Sequence, residues 1–232
     1  MTDILLIHGS CHGAWCWTEV LDALDRLGQK ARAIDLPGHG NDPTPCADVT
    51  LDAYADAILS AIDGPTTVVG HSMGGFPITA AALKAPERIA RLVYLTAYVP
   101  RDGASLADMR HDWPEQPLLP VIRQSDDRTT LTFDDTSLEP LFYHDCTATQ
   151  VARARAHLTP QPTRPQRTPL SPAVPDVPRH YIVCEDDRAI VPGFQRKMAS
   201  GISDIQSMNT SHSPFFAAPD DLARRLRALA AL

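Results

Sequence analysis

Apolar residues recur along this chain in two rhythms. Short continuous runs, Ile4-Leu5-Leu6-Ile7 and Thr66-Thr67-Val68-Val69, read as strands buried on both faces, since a half-buried strand would alternate. Other apolar positions recur every three to four residues. Trp17, Val20, Leu21, Leu24 and Leu27 predict a helix over residues 14–27, with Gly28 as its cap. Residues 30–34 read as a second strand. Thr50 is placed to N-cap a helix carrying Leu51, Tyr54, Ala55, Ile58, Leu59 and Ile62. An alanine-rich helix is expected over residues 78–83 and a strand over 91–97. Strand and helix alternate, which predicts an α/β protein with a mostly parallel sheet covered by helices on both faces.

The rhythm breaks between residues 100 and 178. No strong parallel-strand run appears there, and Pro160, Pro162, Pro165, Pro169, Pro172, Pro175 and Pro178 crowd its second half. Helical patches are expected over 138–143 and 148–158. The stretch reads as a cap inserted over the carboxyl edge of the sheet, leaving residues 1–99 and 179–232 as the core of one domain. The regular pattern resumes with a strand over 180–184, a helix over 194–199, a strand over 205–208 and an amphipathic helix from Asp220. No internal repeat is present.

Composition narrows the function classes. At 232 residues, 44% apolar and 21% charged, the chain can bury a sizeable core. A net charge of −7 without any Lys/Arg run argues against a nucleic-acid partner. No apolar run reaches the length of a membrane span, and residues 4–7 are too short and too poorly flanked by Lys/Arg for a signal peptide. The five cysteines (Cys11, Cys16, Cys46, Cys146, Cys184) are odd in number and lack metal-ligand spacing, so free thiols in the cytoplasm are expected.

The chemistry centres on Gly70-His71-Ser72-Met73-Gly74, a G-x-S-x-G between a strand and a helix. That context is a nucleophile elbow: Ser72 at the apex of a sharp turn, with small residues two positions away on either side. A serine hydroxyl needs a base, and the base an orienting carboxylate. Each is expected just past the end of a later strand, in the order acid, then histidine. Glu185-Asp186-Asp187 follows one such strand and His212 follows the last. The residues themselves leave the choice among the three carboxylates open. An oxyanion hole needs two backbone N–H groups. Met73, after the nucleophile, supplies one, and Ser10, in the glycine-bracketed loop His8-Gly9-Ser10-Cys11-His12-Gly13, is expected to supply the other. Cys11 fits a small buried residue near the pocket better than a second nucleophile. His8, His12, His39 and His71 lack zinc-site spacing and suggest loop packing, with no metal or cofactor called for. Trp113, Phe133, Phe142 and Tyr143 are candidates for a pocket lining contributed by the insertion.

The segments at residues 5–17 (LLIHGSCHGAWCW), 68–75 (VVGHSMGG), 141–146 (LFYHDC), 181–195 (YIVCEDDRAIVPGFQ) and 211–214 (SHSP) resemble the α/β-hydrolase superfamily. Within it they are similar to the branch of plant methyl esterases, the salicylate-binding esterase and the hydroxynitrile lyases. The resemblance implies a cofactor-free Ser-His-Asp site under a small mixed cap. In the family the acid precedes a Pro-x-Phe-Gln segment by five residues, and with that segment at residues 192–195 the carry-over selects Asp187. The lyases of this branch carry Thr where this chain has Gly9, and Lys where it has Ser213. The expected activity is therefore hydrolysis of a small, fairly apolar ester through an acyl-Ser72 intermediate. A hydroxynitrile lyase and a non-catalytic ligand-binding protein on the same fold are the alternatives. The expected partner is a small-molecule ester, neither nucleic acid nor membrane; a homodimer is compatible with the sequence without being required by it.

Overall fold

Six parallel strands form the main sheet of the computed structural model, which describes residues 1–232. They are β1 (Ile4–Ile7), β2 (Ala31–Ile34), β3 (Thr66–His71), β4 (Ile89–Leu95), β8 (Arg179–Cys184) and β9 (Asp204–Met208), in the order β2-β1-β3-β4-β8-β9. The continuous apolar runs are explained by the two layers that cover this sheet. Ile4 and Leu6 face Trp17, Val20 and Leu24 from one layer and Leu222, Leu226 and Leu229 from the same side. Leu5 and Ile7 belong to the cluster on the other side, with Tyr54, Ile58, Ile78 and Phe194. Removing each such side chain from water contributes roughly 1.5–3 kcal/mol before chain entropy is counted.

The first layer holds α1 (Thr18–Arg26), the short α9 (Pro214–Ala217) and α10 (Pro219–Ala230); the second holds α2 (Leu51–Ser60), α3 (Gly75–Lys84) and α8 (Pro192–Met198). The helix expected over 14–27 begins instead as a 3₁₀ turn at Ala14–Trp17. The Ala14 amide donates to Asp35 Oδ1 at 2.7 Å, tying the first turn to the end of β2. At the other end Gly28 adopts φ +70, and the Gln29 amide returns to the Leu24 carbonyl at 2.9 Å. Thr50 caps α2 through a 3.0 Å bond from the Ala53 amide. The helix expected over 78–83 starts earlier, because the turn at Ser72–Gly74 winds directly into α3.

Between β4 and β8 the chain forms α4 (Leu106–Met109), β5 (Ile122–Gln124), β6 (Thr130–Phe133), α5 (Asp135–Leu138), α6 (Ala148–His157), β7 (Gln161–Pro162) and α7 (Thr163–Arg167). The three short strands make a separate antiparallel sheet, β5-β6-β7, which the proline-rich sequence had hidden; Pro162 sits at its edge, where no amide is needed. The patch at 138–143 is not a regular helix. Pro140 has no N–H, and Glu139–Tyr143 winds as a wide π turn after α5. No helix is long and apolar enough to cross a membrane.

Close backbone approach at the end of β3 has a cost that can be measured. A Cβ at Gly75 would lie 2.0 Å from the Tyr98 carbonyl oxygen, whereas one at Gly64 meets nothing within 4 Å. Gly75→Ala is expected to cost about 2–3 kcal/mol, lowering the thermal midpoint by roughly 5–10 °C. Gly64→Ala should leave it unchanged or slightly raised. Equal midpoints for the two variants would contradict the packing described.

Candidate active site

Because all six strands run parallel, the loops after their carboxyl ends gather on one edge. The chain passes from β1 to β2 on one side and from β3 to β4 on the other, so the loops after β1 and β3 diverge and open a crevice between them. The His8–Gly13 loop follows β1 at this point, and Ser72 follows β3. Ser72 has φ +54, a left-handed conformation that strains a side-chain-bearing residue. The neighbouring chain permits no bulk: a Cβ at Gly70 would lie 2.6 Å from the Gly74 carbonyl oxygen, and one at Gly74 2.9 Å from that of His8. The turn therefore presents the Ser72 side chain outward, to a cavity it shares with His212, Ser10, His12 and His71.

His212 follows β9 and is 2% exposed. Its Nδ1 donates to Asp187 Oδ2 at 2.7 Å. This separates the three adjacent carboxylates. Glu185 turns outward to pair with Arg196, and Asp186 is exposed, while the Asp187 side chain is fully buried. Asp187 Oδ1 accepts the Ala189 and Ile190 amides at 2.7 and 2.9 Å, and Oδ2 also accepts from Thr96 Oγ1 and, at 3.2 Å, from Gln195 Nε2. Burying a carboxylate is costly unless its oxygens accept such hydrogen bonds. Ser72 and His212 line the same cavity with no hydrogen bond of 3.5 Å or less joining them. The free space beside Ser72 admits no more than one water molecule, so an ester enters only as the side chains over it move.

Three other histidines near the site, His8, His12 and His71, are buried and committed to packing. His8 Nδ1 donates to the Gly9 carbonyl at 2.8 Å, while its Nε2 accepts the Leu36 amide. His12 Nδ1 donates to the Ser10 carbonyl at 2.8 Å and its Nε2 accepts from Tyr143 at 2.7 Å. His71 Nε2 donates to the His212 carbonyl at 2.8 Å, holding the loop that carries His212. Burial pushes His8 down to about 4 and His12 down to about 3, so both are neutral. No group of three His, Cys, Asp or Glu side chains lies close enough to hold a metal ion. The Ser10 amide donates to no acceptor in the protein, and Met73 opens the turn that leads into α3, where helical N–H groups are unpaired. Both amides are thus available at the crevice.

The pocket candidates divide. Phe142 lines the cavity, its ring edge-on to His212 at 5.4 Å, and Phe133 joins it. Gly9 touches the site through its size: a Cβ there would lie 2.9 Å from Ser72 Cβ. Tyr143, Cys11 and Trp113 do not line the cavity. The Tyr143 hydroxyl is spent on His12, because the wide turn points adjacent side chains apart. Cys11 contacts the Leu131 carbonyl, and burial raises its thiol to about 12. Trp113 stacks on Phe194, 5.9 Å between centroids, from outside. The sequence reading missed Thr96 and Gln195 beside Asp187, and Tyr98, Leu106, Leu118 and Arg110 in the lining. Gln195 stood in the Pro-x-Phe-Gln segment, and Thr96 just past β4; the irregular turn that carries Arg110 gave no signal. A roomier cleft, between α2, α3 and residues 168–172, contains neither Ser72 nor His212.

Residues 4–225 match the alpha/beta hydrolase family. The chain belongs to that family. This hydrolase is 28% identical over 250 residues to methylesterase 2 of Arabidopsis thaliana, covering 97% of this chain and 95% of the relative. It is 31% identical over 245 residues to the pyrethroid hydrolase of Sphingobium wenxiniae, covering 97% and 86%. A crystal structure of a pyrethroid hydrolase from Sphingobium faniae superposes with a TM-score of 0.87 at 28% identity, covering 99% of this chain and 97% of that one.

The neutral histidines make the hydrolase sensitive to acid. Once unfolded, these imidazoles titrate at 6.5, above their folded values of about 4 and about 3. Below 6.5 the unfolded chain binds protons that the folded chain refuses, so stability falls as pH drops and is fully present above 6.5. His8 and His12 together are expected to lower stability by about 3–4 kcal/mol between pH 6.5 and 5. Urea titrations at the two pH values check this; equal midpoints would contradict it.

Proposed function

We propose that this protein is a serine carboxylic ester hydrolase in which Ser72, His212 and Asp187 act together on a small ester. The observation that carries the reading is the buried His212–Asp187 pair, 2.7 Å apart, with His212 facing the same cavity as a serine held at φ +54. Esterases among the relatives support the reaction class. The carbon skeleton of the ester would pack against Leu106, Leu118, Phe133 and Phe142.

In this mechanism the Ser72 hydroxyl attacks the ester carbonyl as His212 Nε2 takes its proton. The Ser10 and Met73 amides hold the resulting oxyanion. Collapse expels the alcohol, which takes the proton from His212 and leaves an acyl-Ser72. Water, deprotonated by His212, then attacks the acyl group, releases the acid and returns the proton to Ser72. Asp187 fixes the His212 tautomer and stabilises the imidazolium that forms at each step.

The lyase alternative is disfavoured by two positions. Ser213, next to His212, is fully buried and uncharged, so the position that carries Lys in the lyases supplies no cation beside the catalytic imidazole. Thr in place of Gly9 would have to displace Ser72 Cβ or His71.

Ser72→Ala is expected to reduce methyl or aryl ester turnover by about 10⁶-fold, and Asp187→Asn by about 10⁴-fold. Asp186→Asn and Glu185→Gln, changed on side chains that face away from His212, should cost less than about 3-fold. Steady-state kinetics check the series, and a tenth of wild-type activity left in Ser72→Ala would overturn the reading. Mandelonitrile is expected to release no cyanide above background; release at rates rivalling ester turnover would favour the lyase.

A further inference from the structure

Arg110 stands where a small-ester site has no need of a cation. It follows α4, whose first turn is fixed by a capping box: Ser105 Oγ accepts the Asp108 amide, and Asp108 accepts the Ser105 amide. The side chain reaches the cavity that contains Ser72 and His212, and it also lines the adjoining cavity toward Gln116, Ile190 and Phe194. Its guanidinium therefore sits at the junction of the two spaces.

The guanidinium is incompletely paired. Nη2 donates to Gln166 Oε1, and Gln166 Nε2 donates onward to Ser10 Oγ at 2.8 Å. Nε is buried without a partner in the protein. No carboxylate pairs with Arg110 within 4.0 Å; Glu115, in the outer cavity, is exposed and does not reach it. The Tyr98 hydroxyl, kept neutral by burial, lies beside the guanidinium, and Arg167 acts on it as a like charge. Asp187 lies behind His212 with both oxygens already engaged. His12 and His71 are neutral, which leaves Arg110 as the fixed charge of the lining.

A guanidinium drawn from water is costly to leave unpaired, and its planar fork matches a carboxylate better than any other small group. We propose that Arg110 is the specificity-determining residue of this site and that its preferred substrates are half-esters, molecules carrying a free carboxylate a few carbons from the scissile carbonyl. The proposal rests on the ester hydrolase reading above and narrows it. The acyl carbonyl meets Ser72 while the carboxylate takes the open edge of Arg110, and the Arg110–Gln166–Ser10 chain ties that contact to the oxyanion loop. Hydrolysis consumes water and yields a dicarboxylate and an alcohol.

The test compares monomethyl malonate, succinate, glutarate and adipate with methyl esters of the matching monocarboxylic acids, followed by pH-stat titration. At the best chain length, kcat/KM for the half-ester should exceed that of the matched neutral ester by about 10- to 100-fold. In Arg110→Met the ratio should fall to about one or below, whatever happens to the absolute rates, and Arg110→Lys should keep part of it. A ratio at or below one in the wild type at every length overturns the proposal. So does an Arg110→Met variant that lowers both ester types equally, because Arg110 would then only prop Gln166. Calorimetric binding of monomethyl glutarate to Ser72→Ala protein reads the site without turnover. Tight binding lost on adding Arg110→Met supports the anion site even if the wild type cleaves no ester, in which case only the hydrolase reading fails. Ester turnover together with half-ester binding no tighter than that of methyl pentanoate sinks the half-ester proposal alone.

Discussion

The turn at Ser72 is the constraint on which the rest depends. A left-handed serine between a strand and a helix is unfavourable by about 1–3 kcal/mol, and persists only where its surroundings leave no other path. Those surroundings are the missing side chains of Gly70, Gly74 and Gly75, each closely approached by backbone carbonyls of the turn or of neighbouring loops. β3 stays central in the sheet, α3 starts at once, and the serine hydroxyl is left at the one edge where loops from five parallel strands meet.

Around that point the polar groups are divided by what they are asked to hold. Asp187 is buried, but five donors from residues 96, 189, 190, 195 and 212 surround its two oxygens. His8, His12 and His71 are buried too, yet as neutral rings that pin carbonyls of the loops bearing Gly9, Ser10 and His212. They act on the site through backbone position. The same loops leave the Ser10 amide unengaged, which is what an oxyanion donor requires.

Much of this was legible in the sequence because it depends on local pattern. Runs such as Ile4–Ile7 are apolar throughout because both faces of the sheet are covered, and the glycines of the elbow recur at fixed offsets from Ser72. The acid was legible only to a cluster of three; the resemblance to a family narrowed it to Asp187, and the fold places that residue against His212. The lining of the cavity was less readable. Phe142 and Tyr143 are adjacent in sequence, yet one faces His212 and the other His12, because Pro140 forces a wide turn that no periodicity announces. Arg110 lies in a short helix end between irregular segments, and its meaning comes from Gln166 and Ser10, which are distant in sequence.

The central claim is that Ser72 is a nucleophile activated by His212. Reaction of the protein with a small alkyl fluorophosphonate, followed by peptide mass spectrometry, tests it most directly. One adduct per chain, on the peptide containing Ser72 and absent when His212 is changed to Ala, is the predicted result. An unmodified Ser72 in folded protein, or an adduct that forms equally fast without His212, would contradict it.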